Sequence, residues 1–537
     1  LPALFFFPSM TINSNHSFIA FGREIENAKL WLQSRVFAAC GYSSEILVER
    51  LVQRLIELSL TPYAIAVMAL CRTSADSFPA TGSRIQCGRA SMELGAGAIR
   101  VSLRQLLANH LDFLLHWGFC LGAILFPARA AATRQPAVLV FGVGMESLFA
   151  NGSDERFVAY CRRGPIEPLA KAQRLLIQCS IREAVSTRVD FAYCARPLIS
   201  LVRCSRLGPF ARLALAITHL VLLFRYAVAA TRLSALSLLG KDFAYSAISF
   251  GLDRKGLIEA IVFTTSNYNS QPLWVRGLPN AKLHLVWYAQ NFKPVTYVAD
   301  HVESQIPCAR WVRVDTHWVW TQAFGDYLRA LGHRGAIEVV GPIVWYLPES
   351  GTPSGNSIDI VVFDISPFSD EVALHAGGYI TNYNNVDNLN SFIADVTALR
   401  PRLEAVLQMP VALRLKTKRG YKAIYDKTYF DHLDQLNASG AISLVDHSSN
   451  IYSLISSSHL AVVYPFSSPA YIADALHVPA IFYDPTKSIV EQNFGDDPSL
   501  VRFANCPDGL LNTAVIAIRE FLVTRKMQTA VAADNAK

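Results

Sequence analysis

Two short stretches of this sequence have residue types suited to gripping an anion. Pro465-Phe466-Ser467-Ser468 follows the apolar run Leu460–Tyr464 and precedes a helical pattern, which puts Ser467 and Ser468 at a helix N-cap and first turn. Hydroxyls, unpaired backbone N–H groups and the positive end of the helix dipole would converge there, as a phosphate requires. The bland alternative is an ordinary serine cap. Lys416-Thr417-Lys418-Arg419 follows a second apolar run, Val411–Leu415. Lys416, Lys418 and Arg419 lie within one turn of each other and could neutralise a diphosphate or nucleotide monophosphate, Arg by bidentate contact and Lys as a point charge. The alternative is a solvated surface run. The two strand ends are read as adjacent, one cationic and one rich in hydroxyls.

Further polar residues close the neighbouring runs. Asp364 and Ser366 in Phe363–Pro367 could hold a ribose or sugar hydroxyl, or Asp364 could simply cap the turn. His447 and Ser448 could frame a base, with a turn role equally open to His447. Tyr483 is placed with them, whereas Asp484 before Pro485 reads as turn chemistry. Toward the N-terminus, Phe141-Gly142-Val143-Gly144-Met145-Glu146 has two of the dinucleotide glycines but Ser147 in place of the third, so NAD binding is discounted. Glu146 and Asp154 are the carboxylates near that strand end, and either could act as the base that an attacking hydroxyl needs. Trp287, Tyr288, Gln290 and Asn291 could line an acceptor pocket, although aromatic runs at strand ends are more often core. No D-x-D, P-loop, G-x-S-x-G or H-E-x-x-H pattern occurs, so neither a metal-bridged diphosphate, a cofactor nor hydrolase chemistry is indicated.

These residues need strands to carry them. Residues 1–130 read as a helical region without turn-bounded strands, Glu45–Leu60 being one amphipathic helix. Ala137–Phe141 has the form of a strand buried on both faces. Residues 165–250 read as helical. Strands then end near Thr265, Tyr288, Thr321 and Val340, with room for crossovers, which makes 131–347 an α/β domain with a helical insertion. Pro348–Ser357 is a linker rich in Pro, Gly and Ser. A second α/β domain spans 358–506: strands Ile358–Ile365, Val411–Leu415, Ile442–Val445, Leu460–Tyr464 and Ala480–Tyr483, with helices Val386–Leu407 and Tyr421–Leu436. A closing helix over 507–527, capped by Asp508, has the stripe Leu511, Val515, Ile518 and Leu522, and the last residues should be loose. The fold class is therefore α/β, two Rossmann-like domains facing a cleft in which ligand binds beyond the strand ends.

Composition agrees with a folded chain: 52% of its 537 residues are apolar and 17% charged, against disorder. Mean hydropathy is +0.26, yet no stretch supplies about 20 uninterrupted apolar residues. The nearest, Phe113–Ala128 and Leu213–Phe224, suit a core helix or one lying on a membrane surface. The opening LPALFFFPSM has no basic n-region and is not read as a signal peptide. Ten scattered cysteines without C-x-x-C or zinc spacing suit a reducing cytoplasmic compartment. The net charge of +7 is uneven: residues 1–250 hold 26 Lys and Arg against 15 Asp and Glu. No nucleic-acid-binding pattern accompanies that surplus.

Taken together, the strand-end motifs resemble the bacterial polysaccharide biosynthesis PFTS-motif proteins. The name-giving motif stands here as Pro465-Phe466-Ser467-Ser468, a Ser replacing Thr. WYAQN (Trp287–Asn291), VVGPI (Val339–Ile343), FDISP (Phe363–Pro367), LKTKR (Leu415–Arg419) and FYDP (Phe482–Pro485) accompany it, so the resemblance covers residues 137–485. It implies a glycosyltransferase of GT-B architecture in capsule or O-antigen assembly. It further implies a nucleotide-sugar donor on the C-terminal domain and an acceptor on the N-terminal one. The Arg-rich first half suits an anionic leaflet, so the acceptor is read as a lipid-linked glycan at the inner face of the cytoplasmic membrane, with the chain peripheral there. The PFSS stretch is similar to the serine motif of bacterial sialyl- and Kdo-transferases, which favours a CMP-linked acidic sugar and a metal-independent transfer. A sugar-nucleotide epimerase of the same build and a non-catalytic assembly protein are the rival readings.

Overall fold

The computed structural model describes residues 36, 38, 40–59, 84–87, 90–93, 98–101, 103–128, 135–149, 153–179, 190–264, 271–287, 312–330, 332–343, 345, 351, 353, 357–367, 385–422, 425–465, 467–489 and 500–535. The N-terminal region contains the expected amphipathic helix, Ser44–Ser59, but also strands β1 (Arg84–Cys87), β2 (Ala90–Glu93) and β3 (Ala98–Val101) in an antiparallel sheet. The expectation of helix alone is corrected there. Four-residue strands alternate for two periods at most, too few to stand out from a helical pattern. The Leu103–Leu125 helix follows.

The first large sheet is built from β4 (Ala137–Phe141), β5 (Leu175–Gln178), β6 (Phe191–Cys194), β7 (Ile258–Thr264), β8 (Lys282–Val286), β9 (Thr316–Val319) and β10 (Ala336–Val339). All pairings are parallel, in the order β10-β9-β8-β7-β4-β5-β6. Strands β5 and β6 interrupt the stretch 165–250 that reads as helical, because LLIQ is too short a run to be told from buried helix. Side chains alternate between faces as the pleat requires. Ala137, Leu139 and Phe141 face a core shared with the Leu103–Leu125, Pro209–Arg232 and Gly240–Arg254 helices, while Val138 and Val140 face a second core. The Gly240–Arg254 helix is buried along most of its length. Its Asp242 carboxylate accepts hydrogen bonds from Arg50 Nε at 2.6 Å and the Leu273 amide at 2.9 Å, tying the Ser44–Ser59 helix to the domain.

The second sheet contains β11 (Ile358–Phe363), β12 (Val411–Lys416), β13 (Ser443–Val445), β14 (Leu460–Val463), β15 (Ala480–Tyr483) and β16 (Val501–Ala504), again all parallel, in the order β13-β12-β11-β14-β15-β16. Strand β16 is an addition to the expected set. Counted within each domain, the second sheet runs 3-2-1-4-5-6 and the first 3-2-1-4-5-6-7, the doubly wound order with one further strand at the edge, so the expectation of two Rossmann-like domains holds. Helix Val386–Leu407 has the expected bounds, and its start is fixed by Asn385, whose side chain accepts from the Asn388 amide at 2.8 Å. The next helix begins at Lys427 rather than at Tyr421, because Asp426 caps it through the Tyr429 amide. The C-terminal helix runs Pro507–Asn535, so the tail expected to be loose is helical almost throughout; its alanines propagate the helix. Its buried stripe is Leu510, Ala514, Ala517, Ile518 and Phe521, mostly one residue from the expected one.

The core that Val138 and Val140 face also contains Val361, Val463 and Phe482 of the second sheet. Trp345, fully enclosed, stacks edge-on to Tyr160 at 5.3 Å, and Tyr452 Oη donates to the Pro342 carbonyl at 3.3 Å. The linker reading falls mostly outside the described residues; Gly351, within it, donates its amide to Ser456 Oγ at 2.8 Å.

Candidate functional site

In a doubly wound sheet the strand order reverses beside the first strand, and the loops leaving the strand ends there diverge to opposite faces and leave a crevice. In the second sheet that point lies between β11 and β14. The residues leaving these two strands are Asp364–Pro367 and Tyr464–Ser468. The sequence therefore delivers the PFSS stretch to the switch point. Ser467 is buried and donates from Oγ to the Tyr464 carbonyl at 3.1 Å. Ser468 is half-buried at the N-cap of the Pro469–Ala475 helix, with no capping bond from its side chain. Pro469 at N1 presets the first turn. Phe466 lies outside the described residues.

The cationic stretch leaves the neighbouring strand on the other side. Strand β11 stands between β12 and β14, so the two strand ends are not adjacent, and two strand spacings of about 4.8 Å each separate them. Asp364 fills the interval. One oxygen of its buried carboxylate accepts from the Lys418 amide at 2.6 Å and the other from Tyr429 Oη at 2.7 Å. Burial raises its pKa to about 6, against the lowering effect of Tyr429, the Lys418 amide and the nearby lysines. Ser366 accepts from the Arg419 amide at 3.1 Å and donates to the Arg419 carbonyl at 3.3 Å. Asp364 and Ser366 thus clasp the Lys416–Arg419 turn against β11, and their polar atoms are occupied by protein rather than turned to a sugar.

The three cations part company. Lys416 is buried and its Nζ donates to the His447 carbonyl at 2.5 Å, with burial lowering its pKa against the pull of Asp364 and Asp446. Lys418 and Arg419 are exposed. His447 and Ser448 are exposed as well, at the end of β13. A Cβ on Gly420 would sit 2.8 Å from His447 Cε1, so only glycine lets the imidazole lie over the end of the cationic turn. The Ser448 amide and hydroxyl both bond to Asp446. Tyr483 is fully buried and donates to Asp395 Oδ2 at 2.6 Å, which holds β15 to the Val386–Leu407 helix and takes the phenol away from any donor. Asp484 has the turn role read from Pro485, accepting from the Thr486 and Ile489 amides at 2.9 and 3.0 Å.

The first sheet reverses between β4 and β7. Gly142 follows β4 with φ +82°, a conformation suited to glycine, and its carbonyl accepts from Thr264 Oγ1 at 2.6 Å. Asp154, half-buried, accepts from Tyr193 Oη at 2.9 Å. Glu146 lies in the short Met145–Leu148 helix, its side chain outside the described set. Trp287 is core: fully buried, it donates from Nε1 to His317 Nδ1 at 3.2 Å and packs edge-on to Phe324 at 4.9 Å. Tyr288, Gln290 and Asn291 lie outside the described residues. Sequence reasoning missed Tyr429, Gly420 and Thr264. Gly420 directly after a cationic run was the available signal, since a glycine beside a binding turn marks close approach.

A family model described as polysaccharide biosynthesis PFTS motif protein matches residues 227–506, just over half of the chain. It takes in β7 to β16 and both strand ends of the second switch point. It begins after β4–β6, so Glu146 and Asp154 lie beyond it. No curated protein matches the sequence. Solved structures similar to this chain include TarM, with 10% identity, a TM-score of 0.31 and coverage of 52% of this chain and 52% of that one. They also include the wall teichoic acid polymerase TagF, with 11% identity, a TM-score of 0.37 and coverage of 78% and 91%. A third is UDP-GlcNAc 2-epimerase from Methanocaldococcus jannaschii, with 9% identity, a TM-score of 0.37 and coverage of 72% and 91%. The chain spans about half the length of TarM.

Proposed function

This chain belongs to the polysaccharide biosynthesis PFTS motif family, and from that premise we propose that it is a glycosyltransferase taking its donor at the switch point of the C-terminal sheet. One observation carries the reading: PFSS leaves β14 at the place where the strand order reverses, with an exposed cationic turn clasped to the intervening strand. Transfer of a sugar from a nucleotide leaves negative charge on the departing phosphate as the anomeric carbon becomes cationic. Ser468, the first turn of the following helix, Lys418 and Arg419 stabilise that charge, and Lys416 positions the base end of the site through the His447 carbonyl. The transfer needs no metal in this reading, the fixed cations and dipoles taking its place. A CMP-linked acidic sugar is the donor in this reading, the Ser468 hydroxyl beside exposed Lys418 and Arg419 suiting one phosphate and one carboxylate. The acceptor is a lipid-linked or growing surface polysaccharide at the inner membrane face, with Glu146 or Asp154 as the base.

A thermal-shift panel of CMP, UDP, GDP and TDP tests the donor, because a nucleotide that binds the folded chain raises its melting temperature. CMP is expected to give the largest shift; a larger shift with UDP, GDP or TDP overturns the choice of base, and no shift with any overturns the donor site. Incubating sugar nucleotide without acceptor tests the reaction class: an isomerised sugar would assign the chain to epimerisation instead.

A further inference from the structure

The Leu103–Leu125 and Pro209–Arg232 helices form an antiparallel pair. Arg212 Nη1 donates to the Ile124 carbonyl at 2.8 Å at one end, and His110 Nδ1 meets Tyr226 Oη at 3.0 Å at the other. Midway, Trp117 Nε1 donates to the His219 carbonyl and His219 Nε2 to the Trp117 carbonyl, both at 2.9 Å, with the two rings stacked at 5.0 Å. The inner face of the pair packs on the Gly240–Arg254 helix and, through it, on the first sheet. The outer face is apolar and uncovered among the described residues. Of the 21 large hydrophobic residues exposed among the described residues, 15 lie on these two helices and the adjoining Phe126. They include Leu111 at 67% exposure, Phe126 at 70%, Phe210 at 86% and Phe224 at 69%. A patch of this kind exceeds what a soluble surface ordinarily leaves in water.

We propose that this helix pair is an in-plane docking platform for an anionic lipid bilayer. The proposal deepens the membrane-acceptor reading above, by naming the surface and its mode of contact. Composition favours lipid over protein. The exposed large side chains of the pair are Leu, Ile, Val and Phe only, and Leu and Phe are types that an interfacial helix buries at the acyl boundary, whereas the Tyr, Trp and Met that protein interfaces favour alongside Phe are absent among them. Charge favours an anionic leaflet. The charged residues on the two helices are Arg104, Arg212, Arg225, Arg232 and a single acid, Asp112. Exposed Arg203 and Arg206 stand just before the second helix. Each basic residue held near anionic headgroups adds to binding. A groove of about 600 Å³ lined by Tyr42, Phe224, Arg225 and Val228 opens beside the same face.

The Pro209–Arg232 helix is long and apolar enough to cross a bilayer, but the packing argues that it lies flat. Leu215, Leu222 and Tyr226 on its inner face share one core with the sheet, and His219 among them is fully buried. A crossing helix would drag that domain into hydrocarbon or strip the core bare. Lying in the interface, the pair immerses only its outer stripe.

Flotation of the full chain with vesicles tests this without any nucleotide present, so it is independent of the donor site. With phosphatidylcholine vesicles containing 30% phosphatidylglycerol the chain is expected to float, and at least fivefold less with phosphatidylcholine alone. Leu111→Glu with Leu213→Glu is expected to lower the bound fraction at least tenfold while leaving the melting temperature and its response to CMP unchanged. Arg225→Glu with Arg232→Glu should abolish the preference for the anionic vesicles. A wild-type chain that stays with the soluble fraction, or a Leu111→Glu/Leu213→Glu chain that floats as well as wild type, overturns the proposal. So does a wild-type dimer in light scattering that this variant makes monomeric without either chain floating, since the face would then belong to a second copy.

Discussion

The two Rossmann-like domains share one strand order yet close their strands with opposite chemistry. At the C-terminal edge of the second sheet stand Asp364, Ser366, Lys416–Arg419 and Ser467–Ser468, a polar set in which Asp364 and Ser366 bond to the cationic turn and Ser467 bonds to the Tyr464 carbonyl. At the corresponding edge of the first sheet Trp287 and Trp320 are buried. Between β8 with its following residue and β9, Trp287 Nε1 donates to His317 and Trp318 Nε1 donates to His284, at 3.2 and 3.3 Å. Topology thus fixes where a ligand could bind in either domain, and the residues at the strand ends decide which domain can hold an anion.

The strongest way to break that contrast is to remove the proposed anion grip. Ser468→Ala with Lys418→Ala should slow transfer about a thousandfold or more, since each lost contact to the developing charge is worth roughly 2–4 kcal/mol. If donor affinity and turnover stay within about threefold of wild type, the grip is elsewhere. Trp287→Phe, by contrast, should alter stability and leave donor affinity alone.

Acid separates the domains next. Burial lowers the pKa of His284 to about 4 and of His317 to about 3, and each must stay neutral at Nδ1 to accept its tryptophan N–H. A folded pKa below the unfolded value near 6.5 means that the unfolded chain binds more protons, so stability is full above pH 6.5 and falls as the pH drops. From pH 7.5 to 5 the loss should be roughly 2 kcal/mol per histidine. Tryptophan fluorescence during urea titration at the two pH values would measure it, and His284→Gln with His317→Gln should flatten the response. An unchanged acid limb in that variant would contradict the assignment.

Asp364 works in the other direction and more weakly. Its folded pKa of about 6 is above the unfolded value of 3.8, so the folded chain binds the extra proton, and stability is gained as the pH falls through 6 and lost as it rises. Acidification from pH 7.5 to 5 should add about 1.4 kcal/mol. Asp364→Asn keeps acceptor and shape and should erase that gain, seen as a lost difference in urea midpoint of the second domain by hydrogen exchange. The smallest effect concerns the join between the domains: Tyr452→Phe removes one bond to the Pro342 carbonyl and should cost about 0.5–1.5 kcal/mol, read from chemical denaturation. A loss above about 3 kcal/mol would mean that this contact does more than bridge.

The strands whose continuous apolar runs are bounded by turn residues were legible in the sequence: β4, β7, β11 and the four-residue β14 and β15 fall where they are expected. Strands β1–β3, β5, β6 and β16 were not, since runs such as RIQC, ASME and VRFA mix polar and apolar residues over too few positions to show a period. Sheet order was harder still. Ser467 and Lys416 end strands that look interchangeable in sequence, and only the fold inserts β11 between them. Of the candidate site, the PFSS position was readable, whereas the burial of Lys416 and the clasp of Asp364 on Tyr429 depend on partners 31 and 65 residues away. Trp287 is an instance of a residue type that serves core and binding pocket alike, which composition of the motif cannot separate.

Hydrogen exchange of the full chain with and without saturating CMP bears most directly on the claim that donor is held at the C-terminal switch point. Slowed exchange is predicted in the amides of residues 364–366, 416–420 and 467–472, with β4, β7 and their following turns unaffected. Protection confined to residues 142–149 and 258–264 of the first sheet, or no protection anywhere, would contradict it.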